Sequence, residues 1–476
     1  MKRTLIVFLL VNLILSACAP ASTQTSTPAP NATPLLTVTP TSTPTAIPTA
    51  TPTPIPSIQV SDLSVPDPRV TNPELFNLQK PEAPIPQFVN ALRMAGIEIT
   101  AEQVAQGITY EALKDKDGNP FVVAVYNLDP SLFPEQYRDL AGPIPLLIAE
   151  KGENGSGWSK CHLRTIASLN DFHIGTLLLP DVNPNLQVYE FNAGTATFNW
   201  PRREKTEGNI NWRWPDSQVE LAIKNNMRVT IQHLIWGGSV PDWVRQKGYS
   251  KEVATGVLKK HITDILNHYE AKYGNLDGWI INVVNEPLGD RYNNGGDYFE
   301  KSFGNDTYID LAFKTAREFA PRSILVYSDT NNHSLNGQKT AQTKRIVDRL
   351  KSQNLVDAVG LHMHIKKGER INYEDVIKTV NYFGLPFLIE EFDFNLSSKT
   401  SSDRFLYQAS NYRTALKAAL DSGNCLGFTI WGAGDRISWY ETDFGQPNAD
   451  ATPFDDNFYP KLAYYAMLQT LVEYLK

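Results

Sequence analysis

The sequence predicts an α/β protein whose larger part is a closed parallel barrel of the (β/α)8, or TIM-barrel, type. A small α+β segment and a disordered Thr/Pro-rich linker precede it. Three observations carry this expectation. From about residue 157 onward, apolar runs of strand length recur eight times, and helical stretches separate them. No Gly-rich phosphate loop follows the first of these strands, which disfavours a doubly wound open sheet. The 476 residues suffice for one large domain with extensions.

Taken in chain order, residues 1–17 read as an export signal. Lys2 and Arg3 precede the short apolar run "TLIVFLLVNLIL", too short for a permanent membrane span. "LSAC", ending at Cys18, resembles a bacterial lipobox, whose cysteine is lipidated; an ordinary cleaved signal with an incidental Cys18 is the alternative. Residues 18–57 then form a linker dominated by Thr, Pro and Ser, unable to bury a core and biased to extended conformations. At ~3.1 Å per residue it reaches on the order of 100 Å. One lipidated end on such a stalk would hold the body at a membrane surface.

Residues 58–150 read as a small α+β segment of unknown role. "PQFVNALRMAGI" has a helical pattern, and "TYEALK" and "PFVVAVYNL" flank "DKDGN", which reads as a hairpin turn. A calcium loop would need a later bidentate Glu that is missing. Residues 151–476 form the barrel domain. Its strands are expected at 173–179, 188–194, 229–236, 278–284, 323–329, 357–364, 386–394 and 427–432. Helices intervene, among them "PDSQVELAIKNNM", "KEVATGVLKKHITDILNHYEAKYG" and "TYIDLAFKTAREFA".

Sites in such barrels lie at the C-terminal ends of the strands. Polar and aromatic residues gather there: Gln232, His233 and Trp236 on the third strand, Asn285 and Glu286 on the fourth. Asp329 and Asn331 follow on the fifth, His362 and His364 on the sixth, Glu390, Glu391 and Asp393 on the seventh, and Trp431 on the eighth. Strands four and seven lie across the mouth from each other, so a carboxylate from each would face the other. That is the arrangement needed to cleave a glycosidic bond, one group as acid and one as nucleophile. No Ser elbow or Cys–His pairing competes. The i, i+2 spacing of His362 and His364 admits a metal, but no further ligand-spaced histidines accompany them, so neither metal nor cofactor is expected.

The ordered set "VVNE", "VGLHMHI", "IEEFD", "GFTIWGAGDRISW" and "FDDNFYPKLAY", with "LIWGGSVPDW" earlier, resembles the family 10 glycoside hydrolases, typically retaining endo-β-1,4-xylanases. The resemblance implies an acid/base at Glu286 and a nucleophile at Glu391, with Asn285 beside the sugar 2-hydroxyl. It implies that His364 bonds the nucleophile, and that Trp431 and Trp439 wall the cleft. By strand alternation, Glu391 and Asp393 share a face and Glu390 points the other way. The chain departs from the family pattern in three places. Thr195-Ala196-Thr197-Phe198-Asn199-Trp200 stands where the family has Glu-Asn-x-x-Lys-Trp. Gln232 replaces a histidine, and His362 replaces a glutamine. Glycone recognition is therefore expected to be rebuilt, with the basic loop 201–211 a candidate replacement. Catalysis is the expectation; a non-catalytic sugar-binding lipoprotein is the reading from another class, and the presence of both glutamates separates them.

The net charge of −7 argues against nucleic acid as a partner, since phosphate contacts need clustered Lys and Arg. The expected partner is thus a polysaccharide, xylan or a related β-1,4-glycan, met by a monomer. Contact with a membrane would be through the lipid alone, and the location the cell surface or, without the lipid, the medium. Cys161 and Cys425 are treated as two thiols, with a bridge left open.

Overall fold

The computed structural model describes residues 85–152, 155–289, 297–365, 369–397, 401–446 and 448–476. The expected export signal, Cys18 and the Thr/Pro-rich linker lie outside them. No helix of the described residues is long and apolar enough to cross a membrane.

The first described elements are helices Ile85–Met94 and Ala101–Gln106. Thr100 and Gln103 close the start of the second in a reciprocal capping box. A four-stranded antiparallel meander follows: β1 (Ile108–Lys114), β2 (Pro120–Leu128), β3 (Gly142–Gly152) and β4 (Gly155–Lys160). Its first turn is the "DKDGN" stretch, and Asp115 builds it. Asp115 Oδ1 accepts from the backbone N–H of Asp117 at 2.9 Å and of Asn119 at 2.7 Å. β3 runs past residue 150, the expected end of the small segment, and β4 ends at Lys160. This sheet shares one apolar core with the barrel. The C-terminal helix Leu462–Glu473 is the hinge of that packing. Tyr465 meets Phe88 edge-on at 4.9 Å, and Gln469 Nε2 donates to the Ala141 carbonyl at 2.8 Å.

Eight parallel strands then close on themselves. They are β5 (Ile174–Leu177), β6 (Ala193–Thr197), β7 (Arg228–Gln232), β8 (Ile280–Asn285), β9 (Ile324–Thr330), β10 (Ala358–Ile365), β11 (Phe387–Phe394) and β12 (Cys425–Ile430). Seven lie where the sequence placed them, within their frayed ends. The second does not. The run 188–194 is split: Val188, Tyr189 and Glu190 belong to helix Pro184–Glu190, and the strand begins only at Ala193. Asn183 caps that helix through Leu186 N and Pro184 opens it, and these start signals outweigh the aromatic run behind them.

Inside the barrel, Ile280, Val326, Ala358 and Leu388 form an apolar floor. One layer nearer the C-terminal mouth the same strands present Asn282, Ser328, Gly360 and Glu390, so the interior turns polar there. The loop after β12 is stapled to the C-terminal segment by a buried ion pair, Lys461 Nζ to Asp435 Oδ2 at 2.6 Å. Cys161 and Cys425 are both free thiols.

Candidate active site

β8 is buried along its whole length, and the chain turns sharply at its end. Glu286 takes a left-handed backbone (φ 46°), uncommon for a residue with a side chain, while its N–H stays bonded to the Ser328 carbonyl at 2.9 Å. This turn aims the carboxyl into the mouth. On the opposite side, β11 carries a bulge. Leu361 pairs with Ile389, but His362 pairs with Glu391, leaving Glu390 as an extra residue. The bulge puts two adjacent carboxyls inside the barrel, where strict alternation had Glu390 pointing away.

The two layers are joined by histidines. His362 Nδ1 lies 2.9 Å from Glu286 Oε1 and 3.4 Å from Glu391 Oε1, and its Nε2 lies 3.3 Å from Glu390 Oε2. His364 bridges Glu391 Oε2 and Asp393 Oδ2 at 2.8 Å each. Asp393 also accepts from Trp439 Nε1 at 2.7 Å and from the Tyr440 hydroxyl at 3.1 Å. Gln232 Nε2 donates to Glu391 Oε1. Asn282 Nδ2 donates to Asn285 Oδ1 at 2.9 Å and to Glu390 Oε2 at 3.1 Å, and Ser328 Oγ donates to the same Glu390 oxygen.

The structure thus brings Glu286, Glu391, His362, His364, Gln232, Asn285, Asp393 and Trp439 into one cluster. His233 and Trp236 follow at the end of β7, their rings edge-to-face at 5.1 Å. Asn331 and Trp431 occupy the same rim after β9 and β12; among the described residues, neither side chain joins the hydrogen-bonded cluster. Asn282, Ser328 and Tyr440 were not singled out by the sequence, and Glu390, noted at the end of its strand, was expected to point away from the site.

The electrostatics follow from this packing. Burial pulls the His364 ring towards neutrality, but Asp393 and Glu391 outweigh it and raise its pKa to about 10. For His362, burial is again opposed, here by the charge of Glu391 and the bonds to Glu286 and Glu390, and the ring stays protonated well above the ordinary histidine range. Burial would push Glu286 up, yet the bond to and charge of His362 hold it below its usual value. His233, desolvated with less compensation, drops to about 4 and is neutral. Asp329, paired at 2.6 Å with the buried Lys339, is raised by burial to about 6.

Glu286, His362, His364 and Glu391 each place a donor atom within 4.8 Å of the others, the one such group of potential ligands among the described residues. Both nitrogens of each ring already face carboxylate oxygens, an arrangement suited to shared protons.

The third strand's departure and the altered β6 end are also visible. Thr195 and Ala196 are buried in the barrel wall, and Asn199 is spent capping the short helix Trp200–Arg203 through Arg202 N. The following loop is fastened inward by Glu204, which accepts from Trp200 Nε1 and Gly208 N at 2.7 Å each.

A parallel eight-stranded barrel with two carboxylates facing each other at its mouth is a glycosidase architecture. The chain belongs to glycosyl hydrolase family 10: the family's model matches residues 181–470. It is 29% identical over 349 residues to endo-1,4-beta-xylanase B of Thermotoga neapolitana, covering 70% of this chain and 98% of that protein. It is 31% identical over 277 residues to endo-1,4-beta-xylanase A of Thermoanaerobacterium saccharolyticum, where the match takes in 56% of this chain but only 23% of that longer protein. Among solved structures, native xylanase 10B from Thermotoga maritima superposes with a TM-score of 0.59 at 26% identity, over 66% of this chain and 99% of that one. Xylanase 10B from Thermotoga petrophila, in complex with xylobiose, gives 0.60 at 25% identity, over 67% and 99%.

Proposed function

We propose that this chain is a retaining endo-β-1,4-glycanase acting on xylan, with Glu391 as nucleophile and Glu286 as acid/base. One observation carries the reading: carboxylate oxygens of Glu286 and Glu391, from facing strands, lie within 4.8 Å of each other. Retaining enzymes need their carboxyl groups about 5–5.5 Å apart, and inverting ones need room for a water between them. In the first step a Glu391 oxygen bonds to the anomeric carbon as the glycosidic C–O bond breaks, and the leaving oxygen takes a proton from Glu286. In the second, water attacks that carbon and gives its proton to Glu286, and Glu391 leaves as a carboxylate. His364 orients Glu391 through its 2.8 Å contact, Asp393 keeps His364 charged, and Asn285 stands next to the acid for the sugar hydroxyls. The similar xylanases, one of them holding xylobiose, point to xylan as the polymer.

A second specificity, another β-1,4-glycan or a simple β-xyloside, is favoured by one feature. The β6 end lacks the charged groups that grip a glycone sugar. Reducing-sugar release from xylan, glucan and mannan by the purified 58–476 chain separates these readings, and the anomeric configuration of the first product tests retention. Glu391→Ala should abolish turnover. Glu286→Ala should spare substrates with activated leaving groups, and full xylan turnover in either variant would sink the assignment.

For the N-terminal residues we infer a tether. Cys18 is acylated, and the Thr/Pro-rich stalk holds a monomeric barrel off the cell surface towards polymer. Comparing membrane and medium fractions for wild type and Cys18→Ser tests it; equal release of both would remove the anchor.

A further inference from the structure

The proposed acid step has a difficulty that the geometry itself answers. Glu286 must deliver a proton, yet its only hydrogen-bonded partner among the described side chains is a histidine that holds the proton instead. His362 is wholly enclosed, and three carboxyls surround it: Glu286 at 2.9 Å, Glu390 at 3.3 Å and Glu391 at 3.4 Å. The more distant charged or titratable groups are His364 on its own strand (ring centroids 6.3 Å away), the neutral His233 after β7, and Asp329 at the end of β9 with its partner Lys339.

We propose that in the resting enzyme the proton for the leaving group resides on His362 Nδ1, and that His362 is a positioning residue which loads Glu286 as Glu391 attacks. This rests on the acid/base and nucleophile roles argued above. The step balances. The Nδ1–H bond breaks and an O–H bond forms on Glu286 Oε1, leaving a neutral imidazole and a carboxylic acid. The carboxyl then turns its proton to the glycosidic oxygen. In the second step the proton taken from water returns from Glu286 to Nδ1.

Glu391 supplies the trigger. Its negative charge, 3.4 Å from the ring, is part of what keeps the proton on His362. As Glu391 becomes a glycosyl ester that charge disappears, so the ring acidifies at the moment the leaving oxygen needs a proton. Glu390 is the counter-charge that stays. It sits beneath the ring, completely buried, and no Lys or Arg pairs with it among the described residues. It therefore retains enough proton affinity on the ring for the next cycle.

The test uses the full-length enzyme and three readouts. The alkaline limb of kcat/KM on xylo-oligosaccharides should fall by about one pH unit or more in His362→Gln, because the proton then rests on a carboxyl alone. Glu390→Gln should move it in the same direction, although the Glu390 carboxyl hydrogen-bonds neither Glu286 nor Glu391. With an aryl glycoside of good leaving-group ability, which needs no acid, neither variant should shift the limb. Nitrogen-15 NMR of labelled histidine, with His362 assigned by its loss in His362→Gln, should show an imidazolium at pH 7 in wild type. A neutral ring at pH 7, or a limb unmoved in Glu390→Gln, overturns the proposal, and the Glu390→Gln limb decides alone if His362→Gln does not fold. The Glu391→Ala and Glu286→Ala results stand apart from all of these, so failure of the underlying roles is recognised separately.

Discussion

His364→Ala removes the cation shared by Glu391 and Asp393, and its effect on stability has a pH signature. The ring's pKa rises from 6.5 to about 10 on folding, which at about 1.4 kcal/mol per pH unit corresponds to roughly 5 kcal/mol. The folded pKa lies above the unfolded one. The contribution is therefore complete below about pH 6.5 and fades as the pH climbs through about 10. Wild type and His364→Ala should differ most in urea unfolding near pH 6 and converge towards pH 10.5. Activity should fall too, because Glu391 loses a charge-assisted hydrogen bond worth ~1.5–3 kcal/mol, or about 10- to 150-fold in kcat. Glu391 keeps its bond from Gln232 and its ion pair with His362 at 3.4 Å, so the loss should be partial. A stability difference that stays flat from pH 6 to pH 10.5 would refute the argument, because the ring would then not be a cation in the fold.

Three other outcomes follow from the same packing. Lys461→Met leaves Asp435 buried without its 2.6 Å partner and should cost about 3–5 kcal/mol by urea unfolding, less at acid pH where Asp435 can protonate. Gly360→Ala would place a methyl 2.5 Å from Glu390 Oε2, so it should destabilise by about 1–3 kcal/mol and lower xylan turnover through a displaced Glu390, read by melting and by rate. Arg202→Ala/Arg203→Ala should weaken hydrolysis of glucuronic-acid-bearing xylo-oligosaccharides more than neutral ones if the basic loop replaces the missing glycone contacts; equal effects on both would make it an ordinary solvated loop.

Much of this was legible in the sequence, for physical reasons. Buried parallel strands are continuous apolar runs, and a charge at the end of such a run must be partnered, so Glu286 and Glu391 stood out against "GWIINVV" and "PFLIEEFDF". The hairpin turn at Asp115 was readable because its chemistry is local. What could not be read depended on register. A one-residue bulge in β11 decides that Glu390 enters the barrel, and nothing in "IEEFD" records it. The helix at Pro184–Glu190 was readable from Asn183-Pro184, but the aromatic run behind it suggested a strand.

The two departures from the family pattern near the nucleophile are best understood together. Where the resemblance places a histidine on β7 and a glutamine on β10, this chain has Gln232 and His362. Both side chains address the same atom: Gln232 Nε2 donates to Glu391 Oε1, and His362 Nδ1 stands 3.4 Å from it. The exchange therefore keeps one amide and one imidazole around that oxygen while moving the imidazole to the strand between Glu286 and Glu391. On β10 the ring also meets Glu286 and Glu390, so a cation that touches all three carboxyls becomes possible only in this arrangement. Reversing one position alone should unbalance the site, because Gln232→His adds a third imidazole at Glu391, beside His362 and His364, and His362→Gln leaves none at Glu286. The double reversal should recover more activity than either single change, and its pH profile should lack the raised alkaline limb. Additive losses in the double variant would show that the two positions act independently and that the exchange is incidental.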